Sequence, residues 1–106
     1  MRAISAELAP RGHYLELQDG AERLYIPLEL RITHIGRGFT AHVRLEHVHV
    51  SVSHAILMRH GRFMRVLDNR SSNGTFVNGR RIVATNLQDG DILRVGPIVM
   101  RYVEVV

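Results

Sequence analysis

The chain has 106 residues, of which 45% are hydrophobic, so it can bury one core and is expected to form a single domain. It has no cysteine, which excludes disulfides and thiolate ligands, and it lacks the run of about 18 apolar residues that a membrane span requires. Its formal charge is +4, and all fourteen basic residues are arginine. This bias fits either phosphate recognition or a GC-rich genome, so it favours an anionic partner only weakly.

The N-terminal segment is expected to be a frayed terminus. Residues 1–8 tolerate a helix, but Pro10 and Gly12 would end it at once, and there is no apolar region of the kind found in signal peptides. We therefore expect a flexible N-terminus over 1–12, a single domain over 13–106 and a cytoplasmic location.

Short apolar alternations separated by Gly and Pro predict an all-β fold. Leu15 and Leu17 share one face of a first strand that ends at Asp19-Gly20, and Pro27 marks the edge or the end of the second strand. About eleven short strands at roughly 8–12-residue spacing predict a β-sandwich. The further predicted strands are residues 30–35, 43–45, 54–58, 62–67, 75–77, 80–82, 91–95 and 98–105, with an irregular segment over 84–88.

One polar stretch, residues 68–82, is the most informative in the chain. Asn78-Gly79 is a pair that tolerates φ > 0 at both central positions of a type I′ turn, so residues 75–82 are predicted to form a tight hairpin. The preceding residues 71–74, Ser-Ser-Asn-Gly, offer two hydroxyls, a carboxamide and a glycine. Such a segment suits a binding loop, and it equally suits a capped turn.

Catalytic chemistry is not expected. Ser51, Ser53, His54 and Asp68 supply the residue types of a hydrolase triad, but the Gly-x-Ser-x-Gly elbow and its strand-turn-helix pattern are missing.

A metal site is not expected either. His47 and His49 would share one face of an extended segment, with His42 nearby, but no third ligand follows at a recognised spacing. Solvent-facing histidines are the favoured interpretation, and neither a metal nor another cofactor is predicted.

Three polar loops separated by strands remain, namely Gly36-Arg37, residues 51–54 and residues 71–75. Loops at one end of a sandwich can converge into a site. An arginine, several hydroxyls and a carboxamide form a complementary set for a phosphate monoester beside a peptide backbone.

The order of these motifs resembles the forkhead-associated (FHA) domain family. Gly36-Arg37 is followed by Ser-x-x-His at 51–54 and by Ser-x-Asn-Gly-Thr-x-Val-Asn-Gly at 71–79, and residues 87–96 are similar to the C-terminal strands of the family. The resemblance covers residues 13–105. It implies a sandwich of eleven strands whose apical loops bind phosphothreonine in a partner protein, without catalysis.

The resemblance also assigns site residues. It implies that Arg37 pairs with the phosphate, that Ser51 donates its hydroxyl and its backbone N–H, and that Ser72 adds a hydroxyl or amide donor. Asn73 would bind the ligand backbone beside the phosphothreonine. Gly36, His54 and Gly74 match positions that shape the loops.

The chain departs from the family at Val52, where arginine, lysine or asparagine is frequent, so Val52 would contribute to phosphopeptide binding only through its backbone. Arg70 could replace the missing charge, and His49, two residues before Ser51, is a second auxiliary candidate.

The expected partner is a threonine-phosphorylated protein or peptide, such as a Ser/Thr protein kinase or its substrate. An FHA-like structural or oligomerisation domain with weak or no phosphate binding is the alternative. Nucleic acid is not an expected partner, because the charge is modest and only three Tyr and three Phe are available for stacking.

Overall fold

The computed structural model of the chain describes residues 4–5 and 10–106. These residues form strands and no helix, and none of them belongs to a helix that could cross a membrane. The strands are β1 (Ile4–Ser5), β2 (Gly12–Asp19), β3 (Glu22–Pro27), β4 (Ile32–Gly36), β5 (Val43–Arg44), β6 (Ala55–His60), β7 (Phe63–Asp68), β8 (Thr75–Val77), β9 (Arg80–Arg81), β10 (Ala84–Leu87), β11 (Ile92–Val95) and β12 (Ile98–Val105).

The strands form two sheets, which confirms the predicted β-sandwich. The larger sheet has the order β1-β3-β2-β12-β11-β8-β9, and the smaller has the order β10-β7-β6-β4-β5. Neighbouring strands are antiparallel except for β4 and β5, which run parallel. Because β7 lies in the smaller sheet and β8 in the larger one, residues 69–74 cross from one sheet to the other at one end of the sandwich.

The alternating apolar residues of both sheets meet in one core, as period-two patterns require. In β12, for example, Met100 and Tyr102 are buried, whereas Val99 and Arg101 are exposed. The core comprises Leu15, Leu28, Ile35, Val43, Leu45, Val50, Ala55, Leu57, Met64, Val66, Val77, Leu87, Leu93, Val95, Met100 and Tyr102.

The prediction of an irregular segment at 84–88 was wrong. Ala84–Leu87 is strand β10, which pairs with β7 from Ala84 opposite Leu67 to Leu87 opposite Met64. Only one of the four residues of this edge strand, Leu87, is buried. The sequence of the segment therefore lacks the alternation of apolar and polar residues from which a strand is predicted. The segment is a strand because its backbone pairs with that of β7.

The N-terminus contributes a short strand, since Ile4 and Ser5 pair with Tyr25 and Leu24 of β3. Residues 1–3 and 6–9 of the predicted flexible segment lie outside the described residues. The domain boundary at residue 13 therefore stays a prediction.

The predicted type I′ hairpin is confirmed. Asn78 and Gly79 have φ values of 51° and 81°, and they join Val77 to Arg80. The Asn78 side chain also accepts the N–H of Ile92 at 2.9 Å and donates to Asp91 Oδ1 at 3.0 Å. The turn is thereby tied to β11.

The carboxylate of Asp68 organises the loop between β7 and β8. Its Oδ1 accepts the hydroxyls of Ser71 at 2.5 Å and Thr75 at 2.7 Å, and its Oδ2 accepts the N–H of Ser71 at 3.3 Å. Burial alone would raise the pKa of Asp68, but these hydrogen bonds to the ionised form outweigh it and hold the pKa below its ordinary value of 3.8. The ionised carboxylate therefore stabilises the loop.

Asp68→Asn should lower the free energy of unfolding by about 1–2 kcal/mol at pH 7, because charge-assisted bonds become neutral ones and the amide cannot accept the N–H of Ser71. A group with a depressed pKa stabilises the fold above its unfolded-state pKa, and this contribution is lost as pH falls through the folded-state pKa. The advantage of the parent over the variant should thus shrink below about pH 4, measured by urea unfolding. Glu29→Gln, at an exposed position, is the control. A constant difference from pH 7 to pH 2 would contradict this role.

Candidate functional site

The three polar loops lie together at the end of the sandwich where residues 69–74 cross between the sheets. Arg37 N–H donates to Ser51 O at 3.0 Å, and Gly38 N–H donates to Val52 O at 3.1 Å. Ser72 N–H donates to Ser51 Oγ at 3.1 Å. The loop that follows β5 is therefore the central one, and it contacts both of the others.

Gly36 allows the first two loops to approach each other. A Cβ atom at this position would lie 2.2 Å from Val52 O, a distance that real Cβ contacts do not show. Even alanine would push the 51–54 loop away from β4.

His54 joins the second loop to the third from a fully buried position. Its Nδ1 accepts the N–H of Ser51 at 3.0 Å, so Nε2 carries the proton and donates to Gly74 O at 2.8 Å. Both ring nitrogens are occupied by backbone groups, which leaves none to take a proton from a serine. The residue types of a triad are present, but His54 has a scaffolding role.

Gly74 occupies the junction between the third loop and β8. Its φ is +89°, and its N–H donates to Ser71 Oγ at 2.9 Å. A Cβ atom here would lie 2.8 Å from Arg81 Nε and 3.1 Å from the Phe76 ring. Both the backbone conformation and the packing therefore favour glycine.

Among the described residues, the hydroxyl protons of Ser51 and Ser72 have no acceptor, whereas Ser71 donates its hydroxyl to Asp68. The N–H of Ser51 is used by His54, and the N–H of Ser72 is used by Ser51 Oγ. Because Ser51 Oγ already accepts one bond, its own proton is free to point elsewhere. The hydroxyls of Ser51 and Ser72 are thus the donors that remain, and the backbone amides are not.

Asn73 is exposed and held in place. Its Nδ2 donates to His49 O at 2.8 Å, which leaves Oδ1 and the second amide proton directed away from that bond. His49 contributes its backbone to the site, while its exposed ring lies 5.4 Å from that of His47, measured between centroids.

Arg37 is exposed at the rim of the loops, and its side chain is fixed at one point, where Nε donates to Val50 O at 3.0 Å. Among the residues that the structure describes, no carboxylate pairs with this guanidinium. Arg70, by contrast, is an exposed turn residue with φ of 55°. Arg37 is the cation joined to the central loop by both its backbone and its side chain.

Val52 is 57% exposed, so it is not a core residue. Its carbonyl accepts the Gly38 N–H, and its Cγ1 would lie 2.9 Å from a Cβ atom on Gly38. The side chain lies at the surface, in a groove that Arg37 also lines.

Four of the seven histidines form two close pairs. His42 lies beside His34, with 5.6 Å between ring centroids, and His47 lies beside His49, with 5.4 Å between theirs. Over residues 4–5 and 10–106, no group of three potential ligands that could hold a metal ion is found.

Sequence reasoning missed the residues that hold the third loop in shape. Asp68, Ser71 and Thr75 form one hydrogen-bonded network, and Ser71 and Thr75 are buried. The available signal was an aspartate followed three residues later by a serine, a pattern typical of side-chain-capped turns. That pattern does not distinguish the buried Ser71 from the exposed Ser72.

Comparison with known proteins agrees with the motif order. The FHA domain family model matches residues 33–96. FhaA, an FHA domain-containing protein of Mycobacterium tuberculosis, is 38% identical over 82 residues, which are 77% of this chain and 15% of FhaA. The chain spans between 7% and 21% of the length of the curated relatives it matches.

Solved structures show the same architecture. A domain from a study of phosphothreonine-dependent FHA domain interactions is 33% identical, with a TM-score of 0.81 over 89% of this chain and 97% of that one. Mycobacterium tuberculosis EmbR, solved with a low-affinity phosphopeptide, is 29% identical, with a TM-score of 0.83 over 95% of this chain and 26% of EmbR. The family model, the sequence relatives and the fold agree, and this chain belongs to the FHA domain family.

Proposed function

We propose that this domain binds a threonine-phosphorylated segment of a partner protein and performs no catalysis. The observation that carries the proposal is the Arg37 guanidinium, which is anchored through Nε on Val50 O and has no carboxylate partner among the described residues. A fixed cation with unused N–H groups suits a phosphate monoester, which carries about −1.5 to −2 charge at neutral pH and accepts paired hydrogen bonds.

The neighbouring groups supply the rest of a phosphopeptide site. The hydroxyls of Ser51 and Ser72 can donate to phosphate oxygens, while the Asn73 carboxamide can bond to the backbone beside the phosphothreonine. The side chains of Arg37, Ser51 and Asn73 are held by the loop scaffold before a ligand arrives. Such preorganisation lowers the entropy cost of binding.

The biological setting follows from the ligand. A phosphothreonine segment is the product of a Ser/Thr protein kinase, so the partner is such a kinase or one of its substrates, and we assign the domain to kinase signalling in the cytoplasm. The relatives support recognition of a phosphothreonine segment, because one solved relative concerns phosphothreonine-dependent interactions and another holds a phosphopeptide.

Arg37→Ala should abolish measurable phosphopeptide binding while the domain stays folded, because it removes the cation and no core contact. Because the bound peptide would cover this guanidinium, the loss of its charge-assisted pair with the phosphate should cost about 2–5 kcal/mol of binding free energy. Calorimetric titration with matched phosphothreonine, phosphoserine and unphosphorylated peptides measures the effect. Arg62→Ala, exposed in the turn between β6 and β7 at the other end of the sandwich, is the control. Equal affinity of Arg37→Ala and parent would reject the assigned site.

Val52→Arg should tighten phosphopeptide binding without loss of stability, since the side chain is 57% exposed and the new charge stays in water. One added charge-assisted bond at an accessible rim is worth about 0.5–2 kcal/mol, or roughly two- to thirtyfold in Kd, and it should weaken with added salt. The ligand is a phosphothreonine peptide with alanine at its other positions. Ile32→Arg, at the far end of β4, adds the same charge away from the loops. A folded variant that still binds no phosphopeptide would support a structural or oligomerisation domain instead.

A further inference from the structure

A cleft lies at the end of the sandwich opposite to the three polar loops. Strand β6 leads away from the loop at residues 51–54, and Arg59, near its far end, lines this distal cleft together with His13 of β2. Residues of both sheets therefore form its walls. Its volume of about 540 Å³ falls within the range of about 300–1,000 Å³ that is typical of small-molecule sites.

Two arginines give the distal cleft a positive charge. Arg11 and Arg59 both line it and are exposed, and over residues 4–5 and 10–106 neither pairs with a carboxylate. Within the described part of the chain, Glu29 is the one acidic residue that lines the cleft. Guanidinium groups without carboxylate partners offer several N–H donors to an anionic ligand.

The imidazole of His13 adds a buried donor to the distal cleft. His13 is only 7% exposed, and its Nδ1 is hydrogen-bonded to the hydroxyl of Tyr102, which has no other hydrogen-bond partner among the described residues. The hydroxyl therefore donates to Nδ1, and Nε2 of the neutral ring carries the proton. The Glu104 carboxylate lies 3.9 Å from Nε2, beyond hydrogen-bonding distance, so Nε2 is a donor without an acceptor in the described structure.

The surroundings of His13 keep its ring neutral at pH 7. Burial lowers the pKa of His13 below its ordinary value of 6.5, and the charge of Arg59 lowers this pKa further, while Glu104 acts in the opposite direction. The effect of Arg59 also indicates that its guanidinium lies close to the ring. His13 thus supplies a hydrogen-bond donor, and the two arginines supply the charge.

Hydrogen bonds hold the walls of the distal cleft in place. Leu28 N–H donates to His13 O at 2.8 Å. The hydroxyl of Tyr14 donates to Pro10 O at 2.5 Å and so holds the backbone beside Arg11. Donors that are positioned before a ligand arrives lower the entropy cost of binding.

We propose that the distal cleft binds a small phosphate monoester, whose phosphate accepts hydrogen bonds from Arg11, Arg59 and Nε2 of His13. A phosphate monoester carries about −1.5 to −2 charge and three acceptor oxygens, which suit two cations and one further donor better than a single carboxylate does. The organic part of the ligand lies along Pro27 and Leu28, which also line the cleft. The inference goes beyond the proposed function, because the cleft shares no residue with the three polar loops.

The test is a titration of the full chain with glycerol phosphate at constant ionic strength, followed by heteronuclear NMR. The backbone amides of His13 and Leu28 should shift and reach saturation, and the Nε2 signal of His13 should shift with them. Glycerol, the uncharged probe, should leave these signals unchanged. Because the phosphate could also bind at the polar loops, the titration is repeated in Arg37→Ala, in which the shifts at the distal cleft should persist with the same Kd.

Arg11→Gln and Arg59→Gln should each raise the Kd for glycerol phosphate about tenfold, because each variant loses a charge-assisted hydrogen bond. Both arginines are exposed, so the variants should stay folded. Arg62→Gln removes the same charge from an exposed position in the β6–β7 turn, outside the cleft, and should keep the parent Kd.

Three outcomes would overturn the inference. Shifts that rise linearly without saturation, or a Kd that is the same in Arg11→Gln, Arg59→Gln and Arg62→Gln, would reduce the effect to ionic screening. Tighter binding of a glutamate-rich peptide than of glycerol phosphate at the same amides would assign the distal cleft to an acidic protein partner. None of these outcomes touches the proposed function, which phosphothreonine peptides test at the loop that carries Arg37.

Discussion

The two hydrogen bonds of the buried His54 imidazole are the interactions on which the geometry of the site depends. It accepts the N–H of Ser51 through Nδ1 and donates to Gly74 O through Nε2, so one side chain joins two loops that are twenty residues apart. An unpaired buried amide or carbonyl would cost about 1–3 kcal/mol, and this ring satisfies one of each. This junction fixes the backbone at Ser51 and at Gly74, the residue that follows Asn73.

The loops are built so that their backbone N–H groups bond within the protein, while several polar side chains stay at the surface with unused hydrogen-bonding groups. The N–H groups of Ser51, Ser72 and Gly74 all bond within the protein, to His54 Nδ1, Ser51 Oγ and Ser71 Oγ. Hydroxyls, a carboxamide and a guanidinium are what remain at the surface. This division allows the exposed side chains, Val52 among them, to vary with little effect on the loop conformation.

Local chemistry in the sequence was sufficient for features that depend on adjacent residues. Asn78-Gly79 determined the hairpin through its positive φ angles, period-two alternation determined the strands of the core, and the order of three motifs determined the family. The tertiary structure alone decided features that depend on residues distant in the chain. Ala84–Leu87 became a strand only by pairing with β7. Likewise, the carbonyl of Val52 excludes a side chain at Gly36 because the fold brings residues 36 and 52 into contact, and no local pattern encodes that distance.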